Sequence, residues 1–159
     1  VGNVSDSGFN NNPLLDKLKD YAAKQNAPVV AICAAIEAEI SELSDEDKQV
    51  FLSDMGMTEP GLDRLIRAGF TLLGLQTYFT AGVQEVRAWT IHQGDRAPQA
   101  AGVIHTDFIK KFIKADVCDF EDFISFGGWK KCRDEGRVRS EGRDYIMKDG
   151  DVVEFKIGS

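Results

Sequence analysis

His105, Thr106 and Asp107 run together in "APQAAGVIHTDF", and an imidazole beside a carboxylate is the pairing that acid-base and nucleophilic catalysis use. Hydrolysis of that kind also needs an activated nucleophile and an oxyanion donor, and no G-x-S-x-G or comparable signature accompanies the pair. The spacing points elsewhere. A helix opening at Pro98 and running to about His105 turns Ala101, Ile104 and Phe108 toward a core and leaves the imidazole beside the last free carbonyls, at the negative end of the helix dipole. His92, the other histidine, lies in the polar "HQGDRAPQ" and reads as a loop residue. Glu37, Glu39 and Glu42 are close in sequence, but two distant histidines and the scattered Cys33, Cys118 and Cys132 offer no metal-ligand spacing, so no metal site is expected. Lys130, Lys131, Arg133, Arg137, Arg139 and Arg143 cluster, with Lys110, Lys111 and Lys114 nearby, and such a cluster is either a patch for phosphate or a solvated face. No G-x-x-x-x-G-K-[ST] is present, so the loop that cradles a nucleotide's phosphates is missing from these residues.

The elements that would carry these residues follow from capping and periodicity. "NNNPLLDKLKDYAAKQN" has Asn12 as cap, Pro13 at the first helical position, and Leu14, Leu15, Leu18, Tyr21 and Ala22 at helical spacing. "APVVAIC" is a continuous apolar run that predicts a strand buried on both faces of a parallel sheet, and "VGNV" predicts the tip of the preceding strand, so the start of the chain reads as half of a βαβ unit. Two more helices are predicted. One follows the Ser44–Asp47 capping pattern and stops at Gly56; the other, in "EPGLDRLIRAGFTLLG", carries Leu62, Leu65, Ile66, Phe70 and Leu73 along one stripe. Periodicity then changes: "VRAWTI", "IKADV" and "VVEFKI" alternate as strands do, with "KDGD" as a hairpin turn signal between "DYIM" and the last of them. A short helix is predicted in "DFEDFISFGG", capped by Asp119, answered by Asp122 and ended by Gly127 and Gly128.

The 159 residues suffice for one large or two small domains, and a mean hydropathy of -0.25 with no long apolar run predicts a soluble, cytoplasmic protein without a membrane partner. The net charge of -7 is uneven: residues 1–75 hold 6 Lys/Arg against 12 Asp/Glu, and residues 76–159 hold 13 against 14. The chain begins at Val1 rather than Met, which fits a piece of a longer polypeptide.

"LLGLQTYFTAGVQEVRAWTI", "APQAAGVIHTDF" and "EGRDYIMKDGDVVEFK" resemble the C-terminal TGS domain of the YchF or Obg-like ATPases, and "NNNPLLDKL", "ICAAIEAEI" and "EPGLDRLIRAGF" resemble the end of the G domain before it. The resemblance runs over essentially the whole chain. It implies α/β followed by α+β: residues 1–57 as the C-terminal end of a P-loop nucleotide-binding domain, 58–75 as a connecting helix, and 76–159 as a ubiquitin-like β-grasp (TGS) domain. It places the phosphate loop, the Mg2+ ligands and catalysis upstream of these residues. In translation-factor GTPases an N-K-x-D motif reads guanine through its Asp; the YchF group has N-x-x-E and prefers ATP. The matching positions are Asn3, Val4, Ser5 and Asp6, so the fourth departs from the family's Glu. An Asp can reach guanine's two N–H donors but takes nothing from adenine N1, which leaves both ATP and GTP as candidate nucleotides. Cys33, Ala34 and Ala35 match the later base-contacting loop, where a backbone N–H reads the base edge and Cys33 replaces the usual serine.

YchF proteins are ribosome-associated ATPases, so the resemblance implies a purine nucleotide and ribosomal RNA as partners, with no DNA. Lys130, Lys131 and Arg133 become candidate RNA phosphate contacts, and Trp89 and Trp129 are assigned to core packing and partial exposure respectively. Three readings stand beside one another: the base-recognising part of a nucleotide hydrolase, an independent β-grasp adaptor for RNA or protein, and a hydrolase centred on His105.

Overall fold

The computed structural model describes residues 1–158, which form two compact units, Val1–Leu73 and a second from Gly74 onward.

In the first unit, β1 (Gly2–Asn3) pairs in parallel with β2 (Ala31–Ile32), and α1 (Pro13–Lys24) connects them. The Asn12 side chain accepts hydrogen bonds from the Leu14 and Leu15 amides at 3.1 and 3.2 Å, and Pro13 takes the position where a missing N–H has no cost. Leu15 and Ala22 are the residues α1 buries. The predicted strand in "APVVAIC" is shorter than its apolar run. Only Ala31 and Ile32 join a ladder, and both are half-buried rather than buried, because β1 is their only sheet neighbour among the described residues.

Three helices complete the unit: α2 (Ala34–Ser41), α3 (Asp45–Asp54) and α4 (Gly61–Leu72). Ser44 caps α3 as its sequence predicts, with Oγ accepting from the Asp47 amide at 3.2 Å and its hydroxyl donating to the Asp47 carboxylate at 2.7 Å. Cys33, Ile36, Ile40 and Leu52 form the core between α2 and α3. The stripe predicted along α4 is only partly covered: Leu65 and Phe70 are half-buried, whereas Leu62, Ile66 and Leu73 are exposed. This helix groups with the first unit, so the structural division falls after Leu73.

The second unit contains β3 (Leu75–Ala81), β4 (Val86–His92), α5 (Ala97–Ile104), α6 (Asp107–Lys111), β5 (Phe112–Cys118), α7 (Phe120–Phe126), α8 (Trp129–Asp134), β6 (Arg139–Glu141) and β7 (Val152–Ile157). Its five strands lie in the order β4-β3-β7-β5-β6, with β3 and β7 parallel at the centre and the other pairs antiparallel, which is the arrangement of a β-grasp fold. Ala97, Ala100 and Ala101 are wholly buried, and these small side chains let α5 lie close on the sheet against Tyr78, Ile91, Val117 and Val153. The Tyr78 hydroxyl donates to the Ala100 carbonyl at 2.9 Å, and burial raises this phenol above its ordinary range.

Two expectations are corrected here. "DYIM" is not a strand: Ile146 makes one bridge to Arg96, and Tyr145 and Met147 turn into the core while their backbones bond Ala97 and Asp95 instead of a ladder. The strand present nearby is β6, a polar three-residue segment without an apolar alternation to reveal it. Asp119 holds the cap position of α7 in extended conformation, but its carboxylate does not cap; it accepts from Arg139 at 3.1 Å. Gly127 does end α7, at φ 73°, where a side chain would be strained.

Candidate functional site

Asn3 closes β1, and its Oδ1 accepts from the Ala34 amide at 3.1 Å, pinning the chain that leaves β1 to the start of α2. The Val4 amide donates to the Ile32 carbonyl at 2.8 Å, and the loop beyond turns sharply, with the Gly8 amide bonded to the Ser5 carbonyl at 2.9 Å and the Ser7 amide to Asp6 Oδ1 at 2.8 Å. Cys33 caps α2 through its backbone only. Its side chain is buried at 4% exposure and makes no capping bond, and the Ala35 and Ile36 amides have no acceptor among the described residues. Asn3, Val4, Asp6, Cys33 and Ala35 line one cleft of about 440 Å³, whose remaining wall includes Glu39, Phe51 and Met55. Ala34, the sixth residue named from the sequence, is tied to the cleft by its bond to Asn3.

Chemically, the cleft combines an apolar wall, the two donors of the Asn3 amide nitrogen, free helix-start amides and two carboxylates, Asp6 and Glu39. A flat heteroaromatic ring with a mixed donor-acceptor edge suits that set. Among the described residues no three His, Cys, Asp or Glu side chains come together in a way that could hold a metal ion.

Glu37, two residues before Glu39, is committed elsewhere: its carboxylate accepts from the Gly61 and Leu62 amides at 2.8 and 3.1 Å and so caps α4 across 24 positions of sequence. Arg64 Nη2 donates to the Ala31 carbonyl at 3.1 Å and ties α4 to β2 as well.

In the second unit His105 ends α5 as predicted. Its ring is more than half exposed, and Nδ1 accepts from the Asp107 amide at 3.2 Å while standing 4.0 Å from the Asp107 carboxylate. An Nδ1 engaged as acceptor toward a backbone N–H is a turn contact, and no serine or cysteine hydroxyl or thiol bonds this ring among the described residues. His92 is the last residue of β4 rather than a loop residue, and its side chain is exposed.

The basic cluster is largely neutralised within the fold. Arg133 bonds Glu154 at 2.6 Å and lies 3.9 Å from Asp116; Arg143 donates to the Phe112 and Ile109 carbonyls; Arg137 approaches Asp122 at 4.0 Å. Lys130 and Lys131 are exposed, with no side-chain partner among the described residues. Trp129 is half-buried, donating to the Ala81 carbonyl at 2.7 Å, and Trp89 is also half-buried, packed on the core with Arg87 over its ring at 4.1 Å.

A buried polar network was not legible in the sequence. Asp151, 2% exposed, accepts from the Tyr145 hydroxyl and the Lys148 amide at 2.9 Å each and faces Arg139 at 3.5 Å. Burial raises the Asp151 carboxyl above its ordinary 3.8, even though the Lys148, Tyr145 and Arg139 contacts pull it down. Burial likewise pushes Tyr145 up to about 12. For Arg139 burial works against the charge, and its bonds to Tyr145 and Asp119 outweigh it and raise the guanidinium. Cys118, wholly buried and next to the Cys132 thiol, is pushed up to about 12, chiefly by burial, so it is a packing thiol rather than a nucleophile.

Known proteins contain closely similar stretches. Residues 75–158 match the family YchF-GTPase_C, described as a protein of unknown function (DUF933). The "Ribosome-binding ATPase YchF" of Haemophilus influenzae is 58% identical over 156 residues, which is 98% of this chain and 43% of that protein. The Bacillus subtilis protein of the same name is 50% identical over 153 residues, 96% of this chain and 41% of its own length. The structure of the Schizosaccharomyces pombe YchF GTPase superposes with a TM-score of 0.81 at 32% identity, covering 97% of this chain and 42% of that one. The chain thus spans less than half the length of these relatives. A β-grasp unit of this strand order, matched over its full described length, places the chain in the YchF family, as a counterpart of the C-terminal part of its members.

Proposed function

We propose that these residues supply the purine-recognising part of a nucleotide hydrolase of the cytoplasm, together with a β-grasp module that faces the ribosome, while the phosphate-binding loop, Mg2+ ligands and catalysis lie in the remainder of the protein. The observation that carries this reading is the cleft itself: Asn3, Val4, Asp6, Cys33 and Ala35 come from segments about thirty positions apart and line one space. A purine fits it in chemical kind. The Asn3 amide nitrogen, which has no acceptor among the described residues while Oδ1 takes the Ala34 amide, donates to the ring N7; the helix-start amides donate to a ring acceptor; carboxylates take the amino hydrogens; Phe51 and Met55 meet the ring's apolar surface. The names of the relatives supply hydrolysis of a nucleotide and ribosome binding. Lys130 and Lys131, exposed and unpaired among the described residues, are the proposed contacts to ribosomal RNA phosphate, and Arg133 is the weakest of the three sequence candidates because Glu154 holds it.

The test is nucleotide binding by the complete protein, ATP against GTP, for the wild type and Asp6→Glu. Asn3→Ala should weaken both nucleotides by about tenfold or more, since it removes the ring contact and unpins Ala34. Asp6→Glu, with its longer reach, should shift the ATP-to-GTP ratio. Binding of both nucleotides unaffected by Asn3→Ala excludes the cleft.

A further inference from the structure

The sheet of the second unit has two outer strands, and they are built differently. β6 is three residues long and carries Arg139, held by Asp119 and Glu141, which is the short, charged form that discourages further pairing. β4 is seven residues long and contains neither proline nor lysine. Its register with β3 is unbroken from Ala81 opposite Val86 to Leu75 opposite His92, so no bulge turns this edge away.

The hydrogen bonds at the two ends of the hairpin fix which backbone groups of β4 face outward. The Gly82 amide donates to the Glu85 carbonyl at 2.9 Å, and the Gln93 amide donates to the Gly74 carbonyl at 2.7 Å. Bonded pairs alternate along an antiparallel ladder, so Arg87, Trp89 and Ile91 bond β3, whereas Val86, Ala88, Thr90 and His92 turn their N–H and C=O groups away from it. His92 is satisfied locally: its amide donates to Asp95 Oδ2 at 2.9 Å, and its carbonyl accepts from the Asp95 amide at 3.1 Å. Val86, Ala88 and Thr90 are exposed, and their outward donors and acceptors have no partner among the described residues.

This row is complementary to itself. When two copies run antiparallel about a two-fold axis at Ala88, Ala88 faces its own copy and Val86 faces Thr90 of the other copy, so every outward N–H meets a carbonyl. The smallest side chain of the row then stands on the axis. Slipping by one pair in one direction opposes Arg87 to Arg87 and strands Thr90; slipping in the other sets Val86 against His92, whose groups are already used. The two-fold register sets Arg87 across from Trp89 instead. Within one chain that guanidinium already lies 4.1 Å from the Trp89 ring centre, so pairing places cation and ring beside each other both along and across the strands.

We propose that β4 is a homotypic docking edge, through which two copies of the protein join their β-grasp sheets into one continuous sheet about a two-fold axis at Ala88. The proposal stands on the second unit alone and does not depend on the purine cleft.

Sedimentation equilibrium of the complete protein tests it. Wild type should pass from monomer to dimer over about 1–100 μM, the weak end expected of a small interface. Ala88→Lys and Ala88→Glu each set like charges against one another on the axis. Ala88 is exposed and its backbone makes no bond to β3, so both variants should fold, and each should associate at least about tenfold more weakly than wild type. Mixed in equal amounts, the two variants should recover the dimer, because opposite charges then face each other. A wild type that stays monomeric up to about 100 μM, a dimer that either variant forms as readily as wild type, or a mixture that associates no better than its components overturns the inference.

Discussion

At the scale of single residues, the most heavily constrained group is Asp151. Its carboxyl is almost wholly removed from water, and burial holds it above 3.8 despite three contacts that favour its charge. A carboxyl that is harder to ionise folded than unfolded binds protons more strongly in the native state, so its contribution is fully present below pH 3.8 and is lost as pH rises through the folded value. Asp151→Asn keeps the shape without the charge. In urea titrations at a series of pH values, the wild type should lose stability relative to Asp151→Asn as the pH is raised from about 3 to 7; a parallel pair of curves contradicts the cause assigned to the shift. No pattern in "KDGDVV" reveals this role, because Asp149 and Asp151 both look like turn residues. Only the fold separates them, giving Asp149 to the Thr77 amide at 2.8 Å and Asp151 to the buried network.

Among the elements, α4 depends on a distant one. Glu37 of α2 satisfies two amides at its first turn, and Gly61 is required for that approach, since a Cβ there would lie 2.7 Å from Glu37 Oε1 and 3.0 Å from Ile32 Cγ2. Glu37→Ala should cost about 1–2 kcal/mol in thermal or denaturant unfolding, the usual effect of removing a helix cap with a charge at the dipole's positive end. Gly61→Ala should cost a comparable amount, and in the Glu37→Ala background it should cost less, because the acceptor it displaces is gone. A fully additive pair would mean that the carboxylate is not what Gly61 accommodates. Helices with local signals were legible: Asn12 before Pro13, Ser44 before Asp47, and Gly127 after Phe126 each name their boundary within a few positions. What depended on remote partners was not. The cap on α4 comes from 24 residues away, β6 has three polar residues and forms only because β5 offers an edge, and "DYIM" has the alternation of a strand while its backbone bonds run to the loop before α5. The cleft was legible in part: Asn3, Asp6 and Cys33 to Ala35 through a known motif, but Glu39, Phe51 and Met55 only once α2 and α3 were folded together.

For the molecule as a whole, charge separates the two units, with the acidic excess in the first and near balance in the second. The ribosome-facing role proposed for the β-grasp unit therefore rests on a few exposed cations rather than on a strong field. Co-sedimentation of the complete protein with ribosomes over a salt series should weaken for Lys130→Glu with Lys131→Glu, and the slope of log affinity against log salt should flatten by about 2, one for each phosphate no longer neutralised. Unchanged sedimentation removes both lysines from the interface. Arg133→Glu is a poorer probe, since it would set like charges beside Glu154 and Asp116.

The central place of β7 has a consequence for how the second unit is made. Its hairpin β3–β4 is local in sequence, but β3's other neighbour, paired through Phe79 and Val152, is the last strand to be synthesised. A nascent chain emerging N-terminus first must hold Tyr78 and Val117 without Val153 until translation has passed that point, so the sheet can only zip shut late, and the waiting intermediate exposes the apolar surface on which chaperones act.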